Sequence, residues 1–235
     1  MAETWWFYLF CNRAMAVALR LLADWEVLGL ENVPARGPLI LVANHNNIID
    51  PPLLGASIPH RRVVFMAKKE LFDRWYSGWL VRGYCAFPVR RGEADRQAFR
   101  QALGVLRRGL ILGMFPEGTR SKTGAMGPAQ PGTAIIALRA QVPILPVGIT
   151  GTDKVKGPAS VLRRRPHLRV NIGRPFLLDV GPADRRTAVA EATRQIMGRI
   201  AALLPPEYRG PWTPVPEPPN QAARDKIESR PLNVT

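Results

Sequence analysis

The chain has 235 residues, 46% of them hydrophobic, and a formal net charge of +15. That length suits one domain, and so apolar a composition excludes global disorder. The charge favours anionic partners (a phospholipid surface, a phosphorylated substrate or nucleic acid) over its competing reading, ordinary solubilising charge.

Residues Trp5–Leu22 read as one apolar helix about 27 Å long, short of a hydrocarbon core of about 30 Å. Asn12 and Arg13 fall at its middle, where a buried arginine would cost about 2.5–3.5 kcal/mol. Arg13 and Arg20 share one face, with Phe7, Phe10, Ala14, Val17 and Leu21 expected opposite. Trp5, Trp6 and Tyr8 are rings that favour an interface. The segment lacks the basic start and small-residue cleavage site of a signal peptide. It is expected to lie on a membrane surface; the competing reading packs it on the protein's own core.

Beyond it, apolar runs at 25–30, 39–42, 62–66, 86–89, 110–115, 144–149 and 168–172 read as strands. They alternate with helical patterns at 52–57, 93–108, 131–139 and 184–204. Such alternation predicts an α/β fold, a mostly parallel central sheet with flanking helices in a single domain. Pro52 and Pro131 suit first helical turns. Along 93–108, Phe99, Leu103, Leu106 and Leu110 recur at helical spacing. From residue 205 the proline-rich composition denies a helix or an interior strand. The predicted organisation is an interfacial helix (1–24), a catalytic domain (25–204) and a tail (205–235) that wraps the surface or lacks order.

Two strand ends carry chemistry. After the run at 39–42 comes Asn44-His45-Asn46-Asn47-Ile48-Ile49-Asp50, an imidazole and a carboxylate five positions apart. A turn feeding a short helix brings Asp50 back beside His45, where it fixes the tautomer of a general base. After the run at 110–112 comes Phe115-Pro116-Glu117-Gly118-Thr119-Arg120. A glycine that admits backbone N–H groups, next to a guanidinium fork, suits an anionic group such as phosphate. Gly113 to Thr119 imitates a nucleotide-binding loop, but Thr119 stands where the lysine must be. Cys11 and Cys85 make no disulfide framework, and no His and Cys cluster has zinc-site spacing. Gly-x-Ser-x-Gly is absent.

Together these motifs resemble the glycerolipid acyltransferase family, which includes the 1-acyl-sn-glycerol-3-phosphate acyltransferases. Its first motif is Asn-His-x4-Asp and its third Phe-Pro-Glu-Gly-Thr-Arg. Ala67-Lys68-Lys69-Glu70-Leu71-Phe72 is similar to its Ala-Lys-x-Glu-Leu-Phe segment. Ala86-Phe87-Pro88-Val89-Arg90-Arg91 is similar to its second motif, and Val142-Pro143-Ile144-Leu145-Pro146-Val147 to its fourth. Three positions depart from the common pattern: Asn47 where many relatives have Ser, Arg90 in place of Asp, and Gln130 where Lys is frequent.

The resemblance implies acyl transfer from a thioester, acyl-CoA or acyl-carrier protein, to the hydroxyl of lysophosphatidic acid, with no bound cofactor or metal. It implies direct attack by the acceptor, with His45 as base and Asp50 as its orienter. Glu117, Gly118, Thr119, Arg120, Arg91 and Lys68 would form the phosphate site. By the fork argument Arg120 is the direct ligand, and Glu117 is expected to hold a neighbouring Arg or Lys. Asn44 or local backbone N–H groups are the candidate oxyanion donors. The expected partners are a lysophospholipid, an acyl thioester and an anionic membrane surface, at the cytoplasmic face of the cell membrane as a peripheral or monotopic protein. Another lysophospholipid or an aminolipid stays open as acceptor. So does a non-catalytic basic module binding membrane or nucleic acid, although no nucleic-acid-reading motif is present.

Overall fold

The structure, a computed structural model, describes residues 5–73, 78, 81–84, 86–90, 95–157, 161, 165–181 and 184–216. Seven strands form one sheet: β1 (Asp24–Leu28), β2 (Leu39–Ala43), β3 (Val63–Lys68), β4 (Phe87–Val89), β5 (Ile111–Met114), β6 (Ile144–Thr150) and β7 (His167–Ile172). Their order is β1-β7-β6-β2-β5-β3-β4. Every pairing is parallel except β6 with β7. The described helices of four residues or more are α1 (Trp5–Leu22), α2 (Asp50–Ser57), α3 (Glu70–Asp73), α4 (Arg96–Arg107), α5 (Gly132–Ala140) and α6 (Arg185–Ala202). The single α/β domain and its mostly parallel sheet are as expected from the alternation of patterns.

Strand alternation divides β2 between two cores. Ile40 and Val42 face a layer with α4, α5 and α6 residues such as Leu106, Ala137 and Ile196. Leu39, Leu41 and Ala43 face the other layer, with Leu53 and Leu54 of α2 and Leu19 of α1. All five β2 side chains are buried, as a central parallel strand covered on both faces requires. At the amino ends of the strands, the buried Arg61 guanidinium donates to the carbonyls of Pro34, Gly37 and Gly109, tying three loops together.

Helix α1 presents different faces from those expected. Tyr8, Asn12 and Leu19 turn inward, and the Tyr8 hydroxyl accepts the Val63 N–H at 3.0 Å. Asn12 packs against Gly55 of α2, where a Cβ would fall 2.6 Å from its Oδ1. Trp6, Phe10, Val17 and Leu21 stay exposed, together with Arg13, Ala14 and Arg20. The arginines therefore flank the apolar stripe rather than oppose it, because the inward arc is already occupied by Tyr8, Asn12 and Leu19. The helix both packs on the core and leaves an outward apolar face. Among the described residues, no helix is long and apolar enough to cross a membrane.

The last described segment is packed chain. It runs over the surface to Pro216 and places Tyr208 in the core layer of α4, α5 and α6.

Candidate active site

β2 lies between β5 and β6, and all three run parallel. The loops leaving the carboxyl ends of β2 and β5 are consequently neighbours, at the position where open α/β sheets bind ligands. The first loop carries His45 and the second Glu117 to Arg120.

Helix α2 begins at Asp50, which brings that carboxylate back under the loop. Asp50 Oδ2 lies 2.8 Å from His45 Nδ1 and accepts the N–H groups of Asn46 and Asn47, both at 2.7 Å. Asp50 is fully buried and His45 nearly so. The imidazole stacks on the Phe115 ring, with centroids 4.1 Å apart, and Phe65 stacks on Phe115 in turn. One ring nitrogen is thus engaged by a carboxylate while an aromatic wall fixes the ring plane.

Glu117 occupies a different place from the one expected. Its Oε1 accepts the His45 N–H at 2.9 Å and its Oε2 the Gly127 N–H at 2.8 Å. Burial raises its carboxyl above the ordinary glutamate range, against the lowering effect of those two N–H donors. The expectation that it holds an Arg or Lys is corrected: both oxygens are spent on backbone donors. The carbonyl of His45 accepts Ser121 N–H at 2.7 Å, so the two loops are stitched on both sides of the histidine.

Asn44 is also corrected. Its carboxamide accepts Ile149 N–H at 2.7 Å and donates to Ile149 carbonyl at 2.8 Å, extending the β2–β6 pairing by one step. Bound to the sheet at both ends of the amide, it is no free oxyanion donor. Asn47 donates to the carbonyls of Thr152 and Val155, each at 2.8 Å, fastening the loop to the turn after β6.

Gly118 adopts φ +68, the left-handed region that glycine tolerates, and Thr119 and Arg120 follow it on the exposed side. Arg120 lines a cleft of about 860 Å³ beside Asn47 and Ile49. Leu19 and Leu22 of α1, with Leu53, Val155 and Leu168, make most of that cleft apolar. Among the described residues, the other charged one on its lining is Lys156, which no motif marked. Lys68 stands apart from the lining, half exposed at the end of β3 and paired with Glu70 at 3.1 Å. Arg91 lies outside the described residues. The structure therefore gathers His45, Asp50 and Glu117 behind the cleft lining, with Arg120 on the lining itself, and leaves Lys68 at the end of β3.

Comparison with known proteins agrees with the fold and gives the family. A family model described as Acyltransferase matches residues 24–150, more than half of the chain. A 1-acyl-sn-glycerol-3-phosphate acyltransferase of Bacillus subtilis (strain 168) is 29% identical over 192 residues, 80% of this chain and 94% of the relative. One from Streptococcus pneumoniae is 37% identical over 140 residues, 58% of this chain and about half (49%) of the relative. The crystal structure of the 1-acyl-sn-glycerophosphate (LPA) acyltransferase PlsC from Thermotoga maritima superposes with a TM-score of 0.60 at 26% identity, covering 82% of this chain and 78% of that one. With its paired imidazole and carboxylate on the matched segment, the chain belongs to the acyltransferase family.

Proposed function

We propose that the chain transfers an acyl group from a thioester to the free hydroxyl of lysophosphatidic acid, forming phosphatidic acid. The observation that carries this reading is a buried His45–Asp50 pair beside an apolar cleft whose charged lining residues, among those described, are cationic, Arg120 and Lys156. A single-chain lipid with an anionic head matches that lining. The named relatives act on such an acceptor.

With Nδ1 turned to Asp50, Nε2 of His45 is the nitrogen left to take the acceptor's proton. As the O–H bond breaks, the oxygen attacks the thioester carbonyl carbon, and the C–S bond then breaks to release the thiolate. The imidazolium returns its proton to that thiolate, so the histidine ends as it began. Asp50 holds the productive tautomer and stabilises the charged ring. Arg120 binds the acceptor's phosphate as a bidentate donor, on a turn that Gly118 shapes and Thr119 lines. Glu117 serves the site from behind, through backbone. The donor is acyl-CoA or acyl-carrier protein, and no cofactor takes part.

The outward face of α1, with Trp6, Phe10, Val17 and Leu21 exposed, is continuous with exposed Ile48 by way of Leu22 on the cleft wall. Laid on an anionic membrane, that face would bring the cleft to the level of the lipid headgroups, a peripheral attachment on the cytoplasmic side. Residues 1–24 then act as the interfacial helix of a catalytic domain that begins at 25. Nucleic acid has no role in this reading.

Thioester-dependent acylation of a panel of lysolipids, read by mass spectrometry, is the test. Lysophosphatidic acid should be acylated in preference to uncharged monoacylglycerol. Equal use of the two would sink the phosphate site, and acylation of neither would sink the activity.

A further inference from the structure

The segment after α6 reaches both sides of the His45–Asp50 pair. Trp212 Nε1 donates to the Gly127 carbonyl at 2.9 Å, and the same residue's N–H is held by Glu117, which holds His45. Tyr208 works on the opposite flank. Its hydroxyl donates to Asp153 Oδ1 at 2.7 Å and accepts the Gly151 N–H at 3.2 Å. That clamps the turn whose Thr152 and Val155 carbonyls secure Asn47. Two relays, each ending on a residue of the His45 loop, therefore start four positions apart on one short stretch of chain.

The stretch is itself tightly seated. Met126 N–H donates to the Tyr208 carbonyl at 2.9 Å. Gly210 adopts φ +56, and a Cβ there would fall 1.9 Å from the Met126 carbonyl oxygen. Val215 N–H donates to the Gly198 carbonyl of α6 at 2.9 Å, and a Cβ on Gly198 would meet the Val215 side chain at 2.4 Å. Glycines at both crossing points let two backbones approach where any side chain would separate them. The family model ends at residue 150, so Tyr208, Gly210 and Trp212 lie outside the matched segment while Met126 and Gly127, to which they are fastened, lie within it.

We infer that Tyr208 and Trp212 are positioning residues for the reaction, and that residues 205–216 form a strap setting the height and angle of His45 through Gly127 and Glu117. The strap touches no reacting atom. It acts by restricting how far the loop after Gly118 can drift, and with it the carboxylate that grips the histidine's backbone. A small misplacement of a general base is costly to rate while leaving substrate affinity nearly intact.

Trp212→Phe is the direct variant, since it keeps the ring and removes the N–H. The probe is backbone amide hydrogen exchange in the full-length protein, beside steady-state rates with lysophosphatidic acid and an acyl-CoA. Exchange at His45 and Gly127 should rise about tenfold, the loss expected for one buried neutral hydrogen bond. Exchange at Leu41, in the middle of β2, should stay unchanged. The turnover number kcat should fall by about tenfold, with both KM values within about twofold of the parent. Tyr208→Phe should instead raise exchange at Gly151 and Asn47. An unchanged His45 amide overturns the proposal, and so does a Leu41 amide that loosens in step, which would mark general destabilisation. A loosened His45 amide with kcat intact overturns the catalytic half, which rests on the acyl-transfer reading. Should the parent protein acylate nothing, that reading fails by itself and the exchange result still decides the relay. Gly210→Ala provides a second, harsher displacement of the strap.

Discussion

Glu117 holds His45 by its backbone, accepting the N–H at 2.9 Å, while Asp50 holds the same residue by its ring at 2.8 Å. Two carboxylates thus divide the labour of fixing one histidine. One sets where the residue sits, and the other sets which ring nitrogen faces the acceptor. Neither replaces the other, because each addresses a different degree of freedom.

For the ring itself, His45→Ala should lower turnover by roughly 10²–10⁴ in a protein that still folds, with a lower melting temperature because the buried ring stacks on Phe115 and partners the buried Asp50. Asp50→Asn should also be slow. Its oxygen can take the place of Oδ2, which alone accepts from Asn46, Asn47 and the ring, but the neutral amide no longer favours imidazolium. Single-turnover acylation alongside thermal melts checks both. Undiminished single-turnover rates in folded His45→Ala would remove the base assignment.

Glu117 predicts an unusual pH signature. Its carboxyl titrates above the ordinary glutamate range, so between the unfolded and folded values the native state binds one proton more than the unfolded chain. Native stability therefore rises on acidification through that window and falls as pH increases through it. Protonation also removes an acceptor from His45 or Gly127, so activity should decline over the same window. The fold becomes more stable as the enzyme becomes slower. Glu117→Gln should abolish the stability slope and be slow at every pH. Urea midpoints and kcat measured together across mildly acidic pH test this, and a parallel fall of both in the parent protein would contradict it.

Arg120→Ala should raise KM for lysophosphatidic acid by about tenfold or more, as expected for losing a charge-assisted hydrogen bond worth about 1.5–3 kcal/mol. KM for the thioester should hardly move. Lys156→Met should have the same direction, because it shares the cleft wall with Arg120. Initial rates with each substrate varied in turn separate the cases. Equal effects on both substrates would make Arg120 a donor or structural residue.

Much of this was legible in the chain. The seven apolar runs were legible because a buried parallel strand needs a continuous apolar stretch, and each of the seven falls on an observed strand. His45 and Asp50 were legible because the carboxylate lies one short turn away in sequence. The partners of Glu117 and Asn44 were not, since both side chains bind backbone groups, which every residue carries and no sequence pattern announces. The antiparallel course of β7 was equally silent: pairing direction depends on the path of the connection after β6, not on strand composition. Tyr208 and Trp212 were hidden by prolines. Against the expectation of no helix, the described part of that segment holds a three-residue 3-10 turn at Pro206–Tyr208, and the remainder up to Pro216 is irregular yet packed and bonded. The faces of α1 were misjudged because Tyr8 and Asn12, polar at one end, were not expected inward, where Val63 and Gly55 receive them.

Helix α1 offers the sharpest separation of membrane binding from folding, because its two faces have different partners. On the inner face, Leu19 is 6% exposed and belongs to the core layer of α2 and the sheet. Leu19→Ala should cost about 2–5 kcal/mol, the range for truncating a buried leucine. Deleting residues 1–22 would strip Tyr8 and Leu19 together and should leave a poorly folded remainder. On the outer face, Phe10, Val17 and Leu21 are 63%, 53% and 71% exposed, so replacing all three by serine leaves the core intact and should shift the melting temperature little. Insertion of such a face at the headgroup boundary is driven by buried apolar area, at about 25 cal/mol per Å², whereas the basic body contributes electrostatic attraction that salt screens. The triple variant should thus keep only the salt-sensitive part of binding to anionic vesicles. Arg13→Gln with Arg20→Gln should show the reverse, retaining more of its binding at high salt. A short, water-soluble lysophosphatidate should be acylated by the triple variant at nearly the parental rate, while a membrane-embedded acceptor is acylated slowly. Co-sedimentation at low and high salt, with rates on both acceptors, decides the matter. Parental vesicle binding by the triple variant at high salt would show that the outer face of α1 does not enter the membrane surface.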